Sequence, residues 1–374
     1  MTQSPRPTPE LLAELRKPRP YPVASVTLPT HRHRPENQQD HIRLRNLLAE
    51  ASKRLADDPD VPRAQAVAVN RQLTEAADGL DPEHFLDGLV VHASHDENAA
   101  YVLGTDVPER IVVGTTYLTR NLVAAAARER PYLALVLSSG EVRLWRGEGE
   151  RVTEDRDSGF PVITSGVERD GPPNREGDHG ANQDCRNMLS DADKLLTPLL
   201  QGENGLPVIL VGLRQHIATF REVSRHGQAL AAEVEVGGLL NATAPELATQ
   251  LAPARHTLTE ADAKGALHAL DEARSGRRYA SGVQSLWQAA GESRVSLLVV
   301  EEGLRVTARP DTVEGAERAT LTLLDVGDAE GTRGAEEDII DSLVETVLGA
   351  DGKVVFVPDE TLKDAGGVAA ALRY

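Results

Sequence analysis

The chain has a single cysteine, Cys185, among 374 residues. That excludes an internal disulfide framework and a cysteine-rich zinc ribbon, and it fits a reducing compartment. Aromatic residues amount to only 3%, so the cores must be built from Leu, Val and Ala. No apolar run approaches the roughly 18 residues needed to span a bilayer. The opening stretch MTQSPRPTPELLAELRKPRP has no apolar signal core. These absences predict a cytoplasmic protein without a membrane partner. No GxxxxGK(S/T) loop and no GxGxxG after a strand is present, so no nucleotide cofactor is expected.

Positive charge is also scarce. The net charge is −18, which argues against a general DNA binder. The deficit is uneven: residues 1–56 hold ten Lys or Arg and five Asp or Glu, a net of +5, which leaves −23 for the remainder. One reading is a helix with a solvated basic face; the other is an RNA-facing N-terminal region on an acidic body.

Hydrophobic periodicity divides the chain into helices and strands. Residues 8–17 predict a short helix with Thr8 as N-cap and Pro9 in its first turn. Strand character follows at 23–28, then amphipathic helices at 38–56 and 62–78, strands at 88–94, 99–104 and 107–114, and a helix at 119–128. A new unit opens at Pro131. Residues 132–138 and 141–147 form a hairpin about Ser139-Gly140. The stretch 165–184 has no periodicity and is rich in Gly, Pro, Asn and Asp, which predicts a long exposed loop. A helix is expected from 186 to 200, a buried strand at 207–212 and a helix at 214–224. Beyond 245 the pattern predicts a helix broken near Pro253, a strand at 296–303, a helix at 336–352 and a strand at 353–358. The alternation indicates an α/β protein with mostly parallel strand pairing.

Three segments carry a family resemblance: TLPTHRHRPENQQDHIRLRNLLAEA at 27–51, YLALVLSSGEVRLWRGEGERV at 132–152, and the pair GRRYASGVQSLWQAAGESRVSLLVVEEG at 276–303 with DGKVVFVPDETLKDAGGVAAALRY at 351–374. In this order they resemble the bacterial archaeo-eukaryotic release factor family, homologues of the eukaryotic class 1 release factor and of Pelota. The resemblance implies three domains: an N-terminal α/β recognition domain at 1–130, an RNase H-like middle domain at 131–242, and a C-terminal α/β sandwich at 243–374 similar to kink-turn-binding ribosomal proteins. It implies the ribosome and tRNA as partners, and a release or rescue role in bacterial translation.

Class 1 release factors carry Gly-Gly-Gln on a middle-domain loop, where the backbone helps place the attacking water. No Gly-Gly-Gln occurs in this chain. The equivalent stretch reads Asp178-His179-Gly180-Ala181-Asn182-Gln183-Asp184, which makes Gly180 and Gln183 the candidate catalytic residues. Without the tripeptide, whether the protein is an enzyme stays open, and a non-catalytic RNA- or ribosome-binding adaptor is the alternative. A metal-dependent hydrolase or nuclease using Asp155, Asp157 and Asp184 is a remote third.

Arg225-His226-Gly227-Gln228 has a superficial likeness to the tripeptide but follows a helix and reads as its C-terminal cap. Arg32, Arg34, Arg43 and Arg45 are the candidate RNA-binding residues, since guanidinium groups suit phosphate. The competing reading pairs them with Glu36, Asp40 and Glu50, with Arg32, Gln38, Gln39 and Asp40 in one network. His31 with His33, and His92 with His95 beside Asp96, lack a third ligand at recognisable spacing, so no metal is expected. Cys185 reads as a small helix residue and not a nucleophile.

Overall fold

The computed structural model describes residues 7–164, 175–201, 205–311, 320–325 and 335–374. The chain divides into two compact units. One joins Met1–Ala127 with Ala263–Tyr374, and the other is Arg128–Asp262.

The first unit opens with α1 (Pro9–Leu15), whose Thr8 Oγ1 accepts the Leu11 N–H at 3.3 Å. Strands β1 (Val23–Pro29), β2 (Gly88–Ala93), β3 (Asn98–Leu103) and β4 (Arg110–Gly114) make an antiparallel sheet in the order β3-β2-β1-β4. Side chains alternate across it. Leu89, Val91 and Ala93 meet α2 (Asp40–Asp57) and α3 (Arg63–Asp78), which bring Leu44, Leu55, Val69 and Leu73.

The opposite face is not finished by the N-terminal segment. Val23, Val90, Tyr101 and Leu103, with Leu122 of α4 (Arg120–Arg128), share one core with the C-terminal segment. That segment contributes β11 (Tyr279–Ser281), α8 (Val283–Gly291), β12 (Val295–Glu301), α9 (Ile339–Gly349), β15 (Lys353–Val357) and β16 (Val368–Leu372). Leu286, Ile339, Ile340, Leu343 and Val344 are its main apolar contribution to the shared core. Its sheet runs β11-β16-β12-β15, and a separate ribbon pairs β13 (Ala308–Asp311) with β14 (Thr320–Leu323).

Buried charges also join the two segments. Asp338, at the N-terminus of α9, pairs with both Arg110 and Arg120. Arg120 further donates to the carbonyls of Leu304 at 2.7 Å and Glu302 at 3.0 Å. Asp341 accepts the N–H groups of Thr119 (3.1 Å) and Arg120 (2.7 Å), capping α4 from across the unit. Burial, reinforced by neighbouring carboxylates, pushes the carboxyls of Asp341 and Glu345 well above their ordinary range.

In the second unit β5 (Pro131–Leu137), β6 (Glu141–Glu148) and β7 (Arg151–Asp155) form an antiparallel meander. The short β8 (Val162–Ile163) also pairs with β6, and β9 (Val208–Gly212) and β10 (Leu230–Glu235) add in parallel beside β5, giving the order β10-β9-β5-β6-β7. On one face lie α5 (Arg175–Leu200) and α6 (Arg214–Val223), with Met188, Leu189, Leu196 and Phe220 in the core. The other face packs on Leu247, Leu251 and Ala254 from the first half of α7 (Ala244–Ser275), while Ala266 and Leu270 from its second half belong to the first unit's core. Tyr132 lies across its strand partner Gly147, where an added Cβ would sit 2.1 Å from a ring carbon.

The α/β class expected from the sequence holds. Three expectations are corrected. Pairing is mainly antiparallel, because hairpins and returning edge strands outnumber the parallel pairs β5·β9, β9·β10 and β12·β15. Helix α7 runs through Pro253 without a break; the lost N–H costs one hydrogen bond, while Leu247, Leu251 and Ala254 stay aligned on a buried face. Residues 175–184, read as loop, are the opening turns of α5. Residues 165–174 of the same expected loop lie outside the described residues.

Candidate functional site

The basic N-terminal segment leaves β1 and enters α2 through a 3-10 turn, Glu36–Gln38. Asp40, fully buried, organises it by accepting the His31 N–H at 2.7 Å and meeting His31 Nδ1 at 2.9 Å. Arg32 places its fork on Asp87, Nε to Oδ1 at 2.7 Å and Nη2 to Oδ2 at 2.5 Å. Arg34 meets Glu83 at 2.6 Å, with both side chains exposed. Arg43 lies 3.7 Å from Asp40 and 3.4 Å from Glu109. Arg45 is exposed on α2 and forms no hydrogen bond or ion pair among the described residues.

Sequence therefore anticipated intramolecular pairing but named only one of the partners, Asp40. Asp87, Glu83 and Glu109 come from distant segments. The exposed pairs Arg34–Glu83 and Arg43–Glu109 are worth about 0–1 kcal/mol, so these arginines can exchange those partners with a phosphate at little cost. Arg45 needs no exchange.

Gly180 and Gln183 do not lie on a glycine-bent tip. Both are within α5, and the exposed Gln183 donates through Nε2 to Asn187 Oδ1, one turn on, at 3.0 Å. A helical backbone directs its N–H groups along the axis, away from a substrate approaching the side of the helix.

The segment Arg225-His226-Gly227-Gln228 follows the end of α6 and is held by Asp193 of α5. That carboxylate accepts the Ser224 hydroxyl at 2.6 Å, the Arg225 N–H at 3.0 Å and His226 Nδ1–H at 2.9 Å. His226 Nε2 faces the Thr197 hydroxyl at 3.3 Å. Burial raises the Asp193 carboxyl, but the hydrogen bonds from Ser224, Arg225 and His226 outweigh it and hold the group below its ordinary value. The cap reading of this segment fits its place. The Asp193–His226–Thr197 line was not legible, since these residues are separated in sequence and match no spaced motif.

The carboxylates of the metal-dependent alternative do not converge. Asp155 is consumed by a turn, accepting the N–H groups of Asp157 and Ser158 (both 3.0 Å), the Ser158 hydroxyl (2.9 Å) and Arg146 Nε (2.7 Å). Asp184 sits on α5. Among the described residues no three His, Cys, Asp or Glu side chains are grouped to hold a metal ion. Cys185 faces the core from α5, and burial pushes its thiol up, opposite to an activated thiolate.

His92 is completely buried on β2, stacked on Tyr117 with ring centres 4.6 Å apart, and its Nε2 lies 3.2 Å from the Leu118 carbonyl. A carbonyl only accepts, so Nε2 carries the hydrogen and Nδ1 is bare; Nδ1 has no partner. Burial drives the imidazole down to about 3. A base held neutral in the fold but free to protonate when unfolded costs stability as pH falls below its ordinary value of 6.5. The expected loss is up to about 1.4 kcal/mol per pH unit through this window. Melting temperature followed from pH 7 to 4 should fall less steeply for His92→Phe than for the parent; parallel profiles would contradict the assignment.

With this geometry in place, the chain can be set beside known proteins. The sequence resemblance to the bacterial archaeo-eukaryotic release factors is borne out. Residues 131–294 match the model of Bacterial archaeo-eukaryotic release factor family 3. No curated protein matches.

Among solved structures, the chain is similar to an archaeal translation termination factor, aRF1, at 17% identity, with 98% of this chain and 96% of that chain covered and a TM-score of 0.25. It is similar to Pelota of Archaeoglobus fulgidus at 16% identity, with 76% and 79% covered and a TM-score of 0.39. It is also similar to Dom34 of S. cerevisiae, described as a translation termination-like factor interacting with Hbs1, at 12% identity, with 77% and 74% covered and a TM-score of 0.35. Likenesses of that size carry no weight for function.

Proposed function

We propose that this protein is a ribosome-associated translation factor of the release or rescue type, acting in the bacterial cytoplasm. The observation that carries the reading is the family match over residues 131–294. The strand order of the second unit supports it: a three-stranded meander followed by two strands parallel to its first is the order of an RNase H-like sheet. The three-domain layout at 1–130, 131–242 and 243–374 belongs to this proposal. The C-terminal sheet, covered by α7 on one face and by α8 and α9 on the other, suits the kink-turn-binding comparison. No described helix is long and apolar enough to cross a membrane.

In this reading the N-terminal arginines meet ribosomal RNA and the middle domain points toward tRNA. Arg45 is the most available phosphate contact. Arg45→Glu is expected to weaken ribosome binding and to lower the slope of log affinity against log salt by about 1. An unchanged slope would remove Arg45 from the interface.

A non-catalytic adaptor is the second reading, and the helical setting of Gly180 and Gln183 favours it. Peptide release from peptidyl-tRNA on programmed ribosomes separates the two. The adaptor predicts ribosome binding without release, whereas release abolished by Gln183→Ala would establish Gln183 as a water-positioning residue and exclude the adaptor.

A further inference from the structure

Threonines inside the α-helices follow one habit. Thr74, Thr219, Thr249, Thr257, Thr259 and Thr346 each donate the side-chain hydroxyl to the carbonyl four residues back. This is the ordinary local bond of a helical threonine. Thr197 of α5 departs from it and turns its hydroxyl to His226 Nε2 at 3.3 Å.

The histidine is oriented from behind. Its Nδ1 lies 2.9 Å from Asp193 Oδ1, and Asp193 is buried and fixed by two further donors, Ser224 Oγ and Arg225 N–H. An ionised carboxylate accepts only, so Nδ1 carries the hydrogen and Nε2 presents its lone pair to the Thr197 hydroxyl. A hydroxyl, a base within reach and a buried carboxylate that sets the tautomer are the three roles of a nucleophilic triad, recognised by geometry whatever the fold.

The site is open to solvent. Thr197 and His226 are partly exposed, Gly227 and Gln228 are exposed, and nothing lies within 4 Å of where a Gly227 Cβ would be. The His226 carbonyl closes a turn by accepting the Ala229 N–H at 2.8 Å. The N–H groups of Gly227 and Gln228, at the centre of that turn, are bonded to no described residue. Two neutral N–H donors on the residues that follow His226 suit an oxygen that gains a single negative charge.

We propose that Thr197, His226 and Asp193 form a nucleophilic site that hydrolyses carboxylic esters. Thr197 Oγ1 attacks the ester carbonyl carbon while its proton passes to His226 Nε2, and the carbonyl electrons move onto oxygen. When the tetrahedral intermediate collapses, the bond to the alkoxy group breaks and His226 returns the proton to the departing alcohol, leaving Thr197 acylated. Water, deprotonated by the same nitrogen, then attacks the acyl carbon, releases the carboxylic acid and restores the threonine hydroxyl. An ester is the suitable class because its alcohol leaves far more readily than an amide's amine, and a secondary hydroxyl is a modest nucleophile. The site does not depend on ribosome binding.

The test uses the full chain and p-nitrophenyl acetate, with a fluorophosphonate probe mapped by mass spectrometry. Turnover should exceed that of free imidazole at equal concentration, and the phosphonate should be found on Thr197. Thr197→Val, close in shape, and His226→Gln should each lower turnover by about 100-fold or more. Thr197→Ser should retain it, and His256→Gln, at an exposed position of α7, should leave it unchanged. Asp193→Asn should lower turnover and shift its pH profile. The proposal is overturned if Thr197→Val hydrolyses the ester as fast as the parent while keeping its melting temperature, if turnover does not exceed the imidazole reference, or if the probe labels any residue other than Thr197. Thr197→Val should still co-sediment with ribosomes, so failure here is distinguishable from failure of the translational reading.

Discussion

A chain ending at Asp262 is expected to keep a folded middle unit and to lose cooperative structure in residues 1–127. The middle unit has its own cores on both faces of its sheet, including the first half of α7. The N-terminal sheet is covered by its own helices on one face only. Val23, Val90, Tyr101, Leu103 and Leu122 are capped by Leu286, Ile339, Ile340, Leu343 and Val344, which the truncation removes. Burying one such side chain contributes about 1.5–3 kcal/mol, and a whole domain is stable by only about 5–15 kcal/mol. Uncovering five of them removes about 7.5–15 kcal/mol, which is comparable to the whole margin. Native-state hydrogen exchange should show protection in β5, β9 and α5 and near-random exchange in β1 to β4. Persistent protection of β1 and β2 in the truncated chain would mean that the N-terminal segment folds alone.

Asp338→Ala has the second largest expected effect. Asp338 is the carboxylate facing Arg110 and Arg120, both buried; Arg110 meets it through Nη1, while its buried Nε and Nη2 have no hydrogen-bond partner. Removing it leaves two guanidinium groups without their anion, a change that costs about 3–5 kcal/mol in buried pairs. The denaturation midpoint should fall with an unchanged denaturant slope, since the folded surface is the same. Arg110→Met in the same chain should restore part of the loss, because it withdraws one of the stranded charges. A single-mutant cost below about 1 kcal/mol, the scale of exposed pairs, would show that water reaches this cluster.

What the sequence disclosed followed from local chemistry. Thr8 and Pro9 marked α1, the Ser139-Gly140 turn marked the β5–β6 hairpin, and apolar periodicity placed α2, α3 and α9. The first turns of α5 were hidden because Gly, Asp and Asn lower helix propensity, a weak preference that tertiary packing overrides. Strand β10 and the β13–β14 ribbon were hidden because their faces are half exposed and lack a continuous apolar run.

The charged cluster could not be read at all. Arg110 and Asp338 are 228 positions apart, and no periodicity links them. The same holds for the candidate site: Arg32 to Arg45 stood out as basic, but which of them is already engaged depends on Asp87, Glu83 and Glu109, brought close only by the fold.

Co-sedimentation of the full chain with bacterial 70S ribosomes, stalled and actively translating, at physiological salt tests the translational assignment most directly. The account predicts that the protein pellets with stalled ribosomes and is displaced by added salt, with Arg45→Glu displaced at lower salt than the parent. Recovery entirely in the supernatant, with every ribosomal fraction empty under both conditions, would contradict it.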